Sequence, residues 1–162
     1  MHKKDKFRQL ALAVIETEEA AISALKSRID DHFANACNLI LACKGRTVVI
    51  GMGKSGHIAN KIAATLASTG TPAFFVHPGE ANHGDMGMIT QSDVALLISY
   101  SGKTPEIMTL LPFLKRFNIP VIAITGHPDS PIAQAASAHI DASISREACP
   151  LNLAPTSSTT TA

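Results

Sequence analysis

This sequence has few aromatic side chains and almost no excess of charge of either sign. Among its 162 residues there is no tryptophan and one tyrosine, aromatics make up 4%, and the formal net charge is +1. Nucleic-acid binding generally needs a basic face and aromatic rings on which bases stack. The composition therefore argues against a nucleic acid partner.

Cysteine is also scarce. Cys37, Cys43 and Cys149 are an odd number and lack the C-x-x-C spacing of zinc or redox sites. Ordinary free thiols are the simpler interpretation. The sequence thus predicts neither disulfides nor redox chemistry.

A long apolar run is missing from the N-terminal region. The basic start MHKKDKFRQ precedes a segment interrupted by Glu16, Glu18 and Glu19, unlike a signal peptide or a membrane span. We therefore predict a cytoplasmic protein with no membrane partner. A length of 162 residues with 46% hydrophobic residues fits one domain with an ordinary core.

Apolar periodicity divides the chain into two parts. From about residue 4 to 44 the spacing is helical and predicts two successive helices. From Thr47 onward helical stretches alternate with five predicted strands, TVVIG, PAFFV, DVALLIS, PVIAIT and HIDASIS. Because strands that are apolar throughout are buried on both faces, we predict an α/β fold. It is a doubly wound five-stranded parallel sheet flanked by helices and preceded by N-terminal helices.

Ligands of such sheets bind beyond the carboxyl ends of the strands. The loops of interest therefore begin after the last apolar residues of the predicted strands. These residues are Ile50, Val76, Ile98, Ile124 and Ile144.

The first of these loops contains two overlapping phosphate-binding patterns. Residues 51–56, GMGKSG, spell G-x-G-x-x-G and also contain G-K-S. A dinucleotide site needs an acidic residue closing the second strand, which instead runs into His77. A Walker loop needs a glycine where Val48 stands. The remaining interpretation is a phosphate site without a nucleotide, with a glycine turn, a helix N-terminus and the cation of Lys54.

Hydroxyl groups are concentrated in the loop after the third predicted strand. Ser99 and Ser101 precede Thr104, which together with Pro105 has the form of a helix N-cap and first helical residue. Hydroxyls, backbone donors and a helix dipole can hold a phosphate together. A serine-rich turn with a cap is the structural alternative.

These segments together resemble a known family. S-x-S-G-x-T-x-E after a buried strand, with G-x-G-K-S after an earlier one, resembles the sugar isomerase (SIS) domain, a phosphosugar-binding α/β fold. Residues 51–89 and 99–107, with PVIAITG and EACPLNLAPTSSTT, are similar to the arabinose 5-phosphate isomerases of that family. The resemblance implies a single SIS domain over residues 1–162.

The resemblance also implies a reaction. The family interconverts ribulose 5-phosphate and arabinose 5-phosphate through an enediol, at the start of Kdo supply for lipopolysaccharide biosynthesis. Proton transfer between C1 and C2 needs a carboxylate or imidazole, and a cation to stabilise the enediolate. The resemblance implies catalytic roles for Lys54, Glu106 and Glu147. We expect Lys54 to be the electrostatic group and one glutamate to carry the carbon-bound proton, with the choice between the two glutamates open.

Each glutamate also has a purely structural interpretation. Glu106 lies in the first turn of a predicted helix, where the dipole favours a carboxylate. Glu147 follows the last predicted strand beside Arg146, with which an exposed ion pair is the alternative.

The predicted substrate contacts come from the same loops, and the resemblance supports both histidines of HPGEANHGDMG. The predicted substrate-binding residues are Gly53, Ser55, His77, His83, Ser99, Ser101, Thr104, Thr156 and Ser157. A metal site at His77, His83 and Asp85 is the alternative. We expect no cofactor and no metal, because the enediol route requires neither and the spacing matches no strong ligand signature.

The chain stops before the family pattern does. Arabinose 5-phosphate isomerases continue through a helix to a Ser-His-Pro-Gly-Gly segment and often to paired CBS domains, whereas this sequence ends at Ala162. We therefore expect a SIS domain truncated at its C-terminal end, without CBS domains, that retains binding even if the chain alone is inactive. The residues after Pro155 are either a disordered tail or the start of that helix.

The N-terminal helices have more apolar surface than one sheet face requires, which predicts a homo-oligomer, either a dimer or a tetramer. An alternative function is that of a non-catalytic sugar-phosphate sensor or regulatory SIS domain. Such regulators resemble this chain but attach a helix-turn-helix segment, and the N-terminal helices here are not strongly basic. An isomerase of hexose phosphates is the nearest enzymatic competitor.

Overall fold

A computed structural model of the chain describes residues 3–162; Met1 and His2, the beginning of the basic start noted above, lie outside the described residues. Two helices precede the sheet, as predicted: α1 (Lys3–Ala24) and α2 (Asp31–Ala42), joined through a 3-10 turn at Leu25–Arg28. The Asp30 carboxylate begins α2 by accepting hydrogen bonds from the amides of His32 and Phe33.

Five strands form one parallel sheet, which confirms the predicted fold. They are β1 (Thr47–Gly51), β2 (Ala73–Val76), β3 (Val94–Ile98), β4 (Val121–Thr125) and β5 (Ala138–Asp141), in the order β2-β1-β3-β4-β5. Every residue of β1, β3 and β4 is buried, because helices cover both faces of the sheet.

The last strand is shorter than predicted. It ends at Asp141, whose carboxylate accepts a hydrogen bond from the amide of Ser143 at 2.8 Å. An Asp side chain that bonds the backbone two residues on replaces strand geometry with a turn. The functional loop therefore begins three residues before Ile144.

Most helices follow the strands as expected. They are α3 (Gly53–Ser68), α4 (Pro78–Ala81), α5 (Pro105–Met108), α6 (Leu111–Arg116), α7 (Pro131–Ala135) and α8 (Ser157–Thr160), and a 3-10 turn spans Asp85–Met88. One of the helical stretches between the predicted strands, EIMTLLPFLKRF (residues 106–117), is divided into α5 and α6. Pro112 has no amide N–H to bond the carbonyl of Met108, which ends the first helix there. Residues after Pro155 do begin a helix, α8.

The two faces of the sheet bury separate cores. One core joins side chains of β1 and β3 to α5, α6 and α7, and includes Ile50, Leu97, Ile107, Leu114 and Ile132. The other joins the opposite side chains to α2 and α3, and includes Ala36, Val49, Ala59, Leu96 and Ile98.

The strand order positions the site. Since β1 lies between β2 and β3, the winding of the sheet reverses there, and a crevice opens at the carboxyl ends of β1 and β3. Within the described range 3–162, none of the helices is both long and apolar enough to cross a membrane.

Candidate functional site

The carboxyl ends of β1 and β3 lie side by side, with Gly51 paired to Ile98. Lys54 is the second residue of α3 and is exposed. Ser99 follows directly after β3 and is buried. The reversal point of the sheet therefore has an ammonium group on one side and a hydroxyl-rich loop on the other.

The glycine pattern allows α3 to begin directly against the end of β1. A Cβ atom on Gly56 would lie 2.8 Å from the carbonyl oxygen of Gly51, which is closer than a side chain tolerates. The first turn of α3 is consequently brought close to the strand, with its unpaired amides at the sheet edge. The close approach of helix and strand that these glycines allow is common to the dinucleotide pattern and the Walker pattern.

The loop of residues 99–104, called the hydroxyl loop below, is held by hydrogen bonds within itself. The Oγ of Ser99 and the Oγ1 of Thr104 are 2.7 Å apart, and the Oγ of Ser101 accepts from the amide of Lys103 at 3.2 Å. Thr104 is the N-cap residue of α5 and Pro105 its first residue, as predicted, but the Thr104 hydroxyl makes no cap bond. Glu106 is half-buried in the first turn of α5.

Glu147 is held by the start of α8. Its Oε2 accepts three hydrogen bonds, from the amide of Thr156 (2.8 Å), the hydroxyl of Thr156 (3.0 Å) and the amide of Ser158 (3.2 Å). Burial by itself would raise the pKa of Glu147, but the hydrogen bonds from Ser158 and Thr156 outweigh it, and the pKa lies below the ordinary glutamate value. Glu147 is therefore ionised near neutral pH.

The structure does not pair Glu147 with Arg146. The guanidinium of Arg146 instead donates to the hydroxyl of Thr17 on α1 at 3.0 Å. The exposed ion pair that was the structural alternative for Glu147 is therefore wrong, and hydrogen bonds to α8 take its place.

Three of the predicted segments meet at one edge of the sheet. Ser55 of α3, Tyr100 of the hydroxyl loop and Ser158 of α8 line the same narrow cavity. The helix α8 packs against α1 and α3, and the buried Ser157 donates from its hydroxyl to Glu18 of α1 at 3.2 Å. The segments that carry Lys54, the hydroxyl loop and Glu147 are thus adjacent.

The adjacency of these segments does not by itself bring the three predicted catalytic side chains into contact. Over residues 4–162, no hydrogen bond or ion pair joins Lys54, Glu106 and Glu147 to one another. Their segments share an edge of the sheet.

The two predicted histidines differ in position. His77 is half-buried, and its Nδ1 accepts from the amide of Gly79 at 3.2 Å. It lines a cavity of about 220 Å³ together with Gly53. His83 is exposed in the turn after α4, and no hydrogen bond among the described residues links its side chain to the other predicted site residues. His77 is therefore grouped with the glycine loop.

Two polar residues near this edge were not singled out from the sequence. Lys103 and His127 line a cavity of about 290 Å³ with Ser101, between the loops that follow β3 and β4. Lys103 was visible as the cation of the hydroxyl loop, and His127 as the second residue after β4. A larger cavity of about 740 Å³ lies between α6 and α7, beside Val121 at the amino end of β4, away from this site.

Metal binding has no structural support in the described part of the chain. There, no group of three or more His, Cys, Asp and Glu side chains is placed to hold a metal ion. The expectation that neither metal nor cofactor is required stays a prediction.

Comparison with known proteins adds further findings. Residues 40–162 match the family model described as the SIS domain. The chain is 63% identical over 150 residues to "Arabinose 5-phosphate isomerase KdsD" of Pseudomonas aeruginosa, covering 93% of this chain and 46% of the relative. It is 54% identical over 154 residues to the protein of the same name in Escherichia coli K12, covering 95% of this chain and 47% of the relative. The chain thus spans about half the length of the curated relatives it matches.

A solved structure is similar over nearly the whole chain. The Escherichia coli CFT073 protein c3406, in complex with arabinose 5-phosphate, superposes with a TM-score of 0.93 at 41% identity, covering 99% of this chain and 85% of that one.

Proposed function

The chain belongs to the SIS domain family, and we propose that it forms the isomerase domain of an arabinose 5-phosphate isomerase that interconverts ribulose 5-phosphate and arabinose 5-phosphate. The observation that carries the proposal is the adjacency of the Lys54 segment, the hydroxyl loop and the Glu147 segment at the reversal point of the sheet. The names of the relatives, and the ligand of the structure similar to this chain, support the same reaction.

The proposed chemistry requires one proton to move between C1 and C2. A glutamate carboxylate takes a proton from C1 of the ketose, the electron pair of that bond forms the C1–C2 double bond, and the C2 carbonyl oxygen becomes the enediolate oxygen. A proton then passes from the C1 hydroxyl to the C2 oxygen, and the glutamate returns its proton to C2 as the C1 carbonyl forms. The ammonium of Lys54 stabilises the enediolate oxygen. Glu106 and Glu147 are both retained as candidates for the one carrier of the carbon-bound proton.

The phosphate of the substrate is assigned to the hydroxyl loop and the start of α3. The hydroxyls of Ser99, Ser101 and Thr104 and the amides of the first turn of α3 supply neutral donors, to which Lys54 adds positive charge. Gly53, Ser55, His77, His83 and Ser157 stay predicted substrate contacts.

The biological setting is part of the proposal. The product supplies Kdo for lipopolysaccharide biosynthesis in the cytoplasm, and the protein works as a homo-oligomer, a dimer or tetramer. The exposed apolar side chains of α1, such as Phe7 (59% exposed) and Ile15 (60% exposed), support assembly.

A panel of pentose and hexose phosphates, incubated with the complete protein and followed by NMR, tests the function. We expect ribulose 5-phosphate to yield arabinose 5-phosphate. Glu106→Gln or Glu147→Gln should lower kcat by at least about 100-fold, because removal of the proton carrier typically costs that much. Glu19→Gln, a matched change at an exposed position of α1, should retain activity.

Circular dichroism spectra that match the wild type would show that the inactive variants are folded. A complete protein that leaves every pentose phosphate unchanged would contradict the proposal. Saturable binding of a sugar phosphate without turnover would favour the sensor hypothesis instead.

A further inference from the structure

The hydrogen bonds to Glu147 all fall on one oxygen. Oε2 accepts from the amide and the hydroxyl of Thr156 and from the amide of Ser158, whereas Oε1 accepts no hydrogen bond from the described residues. The Oε2 end of the carboxylate is therefore fixed, and Oε1 is available to take up a proton.

The proton of the Thr156 hydroxyl is committed within the protein. It accepts from the amide of Ala148 at 2.8 Å and donates its single proton to Oε2 of Glu147 at 3.0 Å. It therefore has no proton left to donate to a substrate. This differs from the substrate contact that the sequence predicts for Thr156.

The backbone of Glu147 is held as well. Its amide donates to the side-chain carbonyl of Asn152 at 2.9 Å, and Asn152 adopts a left-handed conformation with φ of 52°. The amide of Asn152 in turn donates to the carbonyl of Cys149 at 2.8 Å. The segment 147–158 is thus a closed loop, in which Thr156 restrains the side chain and Asn152 the main chain.

We propose that Thr156 is a positioning residue that orients the Glu147 carboxylate so that Oε1 takes up the carbon-bound proton. The proposal rests on the proposed isomerase function for the role of Glu147. The hydrogen-bonded geometry itself does not depend on that function.

Removal of a hydrogen-bond donor from a carboxylate disfavours its ionised form. The pKa of Glu147 lies below the ordinary value in the wild type through hydrogen bonds from the Ser158 side chain, the amides of Thr156 and Ser158, and the Thr156 hydroxyl. Loss of the last of these should therefore raise the pKa of Glu147. Because the base must be ionised, the acid limb of the kcat/KM profile should move to higher pH.

Other charged or titratable groups lie in the Glu147 loop, which also holds Cys149, and on the helices packed against α8. Arg146 adjoins it in the chain, and Glu18 of α1 accepts from Ser157. Among the side chains that the structure describes, the remaining titratable or charged groups on α1 and α3 are Lys4, Asp5, Lys6, Arg8, Glu16, Glu19, Lys54, His57 and Lys61. These groups stay unchanged in the variants below, so a change in the pKa of Glu147 reports on Thr156.

The test compares three variants of the complete protein. Thr156→Val removes the hydroxyl at similar volume, Thr156→Ser retains it, and Thr160→Val makes the same change at an exposed position of α8. The pKa of Glu147 is measured by carboxyl ¹³C NMR, with the signal assigned from its loss in Glu147→Gln. Steady-state kinetics are recorded across pH.

We expect Thr156→Val to raise the pKa of Glu147, to move the acid limb upward and to lower kcat by about 10-fold or more, since misplacement of a reacting group costs that much. KM should change little. Thr156→Ser and Thr160→Val should retain the wild-type pKa and kcat.

Two results would overturn the proposal. One is an unchanged Glu147 pKa in Thr156→Val; the other is a raised KM with unaltered kcat and pH profile, which identifies Thr156 as a substrate contact. If Thr156→Val does not fold, the measurement on the wild type tests the proposal instead. A wild-type Glu147 pKa at or above the ordinary glutamate value would also overturn the proposal. A raised pKa in Thr156→Val, in a protein that isomerises no pentose phosphate, would support the contact and refute the proposed function.

Discussion

Lys54, Glu106 and Glu147 differ in how firmly the folded chain holds them. Lys54 is exposed at the start of α3, and Glu106 is half-buried with its carboxylate unbonded by residues 4–162, whereas three donors hold one oxygen of Glu147. A group that is fixed before the reaction needs no reorganisation when charge moves. Glu147 is therefore preorganised, whereas no hydrogen bond or ion pair from residues 4–162 orients the side chains of Lys54 and Glu106.

Gly102 provides a test of the hydroxyl loop. It has φ of +60°, and a Cβ atom there would overlap the Oγ and Cβ of Ser130. Gly102→Ala should lower the free energy of unfolding by about 3 kcal/mol, from left-handed strain and overpacking combined. Urea denaturation measures the loss.

The control for this change is Gly87→Ala. No heavy atom lies within 4 Å of a Cβ built on Gly87, and its φ is not positive. It should alter the free energy of unfolding by less than about 0.5 kcal/mol. Equal losses in the two variants would show that the close approach of Gly102 to Ser130 is not present in solution.

Several elements at the site are too short to be stable alone. The helices α4, α5 and α8 have four residues each, far below the length at which an isolated helix forms in water. Their stability comes from contacts with the rest of the chain. For α8 these contacts include the bonds from Thr156 and Ser158 to Glu147, so the site and the helix stabilise each other.

The start of α2 tests local stabilisation of an element. The Asp30 carboxylate accepts from the amides of His32 and Phe33, and α2 packs against β5, which leads to the Glu147 loop. Asp30→Ala should lower the free energy of unfolding by about 1 kcal/mol, the usual value for a lost N-cap, measured by urea denaturation at pH 7.

Asp31→Ala is the matched control, because Asp31 lies in the first turn of α2 and makes no cap bond. Its loss should be only about 0.3 kcal/mol, from the helix dipole. A larger loss in Asp31→Ala than in Asp30→Ala would contradict the capping role.

In the folded molecule, much of the surface of α1 is exposed. Over residues 4–24, Ala21 is buried, and large apolar side chains including Phe7, Leu10 and Ile15 are at least half exposed. Thr17 and Glu18 of the same helix contact Arg146 and Ser157, on either side of Glu147 in the loop. Assembly through α1 would therefore take place close to the proposed site.

We expect the protein to form a dimer or tetramer in solution, because burial of apolar surface contributes about 25 cal/mol per Å². Phe7→Asp combined with Ile15→Asp should reduce the mass found by light scattering toward that of the monomer. Lys115→Asp, which introduces the same carboxylate at an exposed position of α6, should leave the mass unchanged. A wild type that is monomeric at working concentration would refute the expectation.

Local patterns were sufficient for much of the fold. The five strands and the two N-terminal helices were predicted because apolar periodicity depends on neighbours in the chain. The division of α5 from α6 and the early end of β5 were missed, although Pro112 and Asp141 were both visible as local signals. The predicted site segments do lie at one edge, because the carboxyl ends of parallel strands share it.

The sequence by itself determined which residue types stand after which strand: Lys54 after β1, the hydroxyl loop after β3 and Glu147 after β5. Only the tertiary structure decided the strand order β2-β1-β3-β4-β5 and the bonding of Glu147 to Thr156, nine residues away in a loop without periodicity. The physical reason is that a strand or helix repeats along the chain and can be recognised from neighbours. A hydrogen bond between two parts of an irregular loop depends on a chain path that forms only when α1, α3 and α8 pack together.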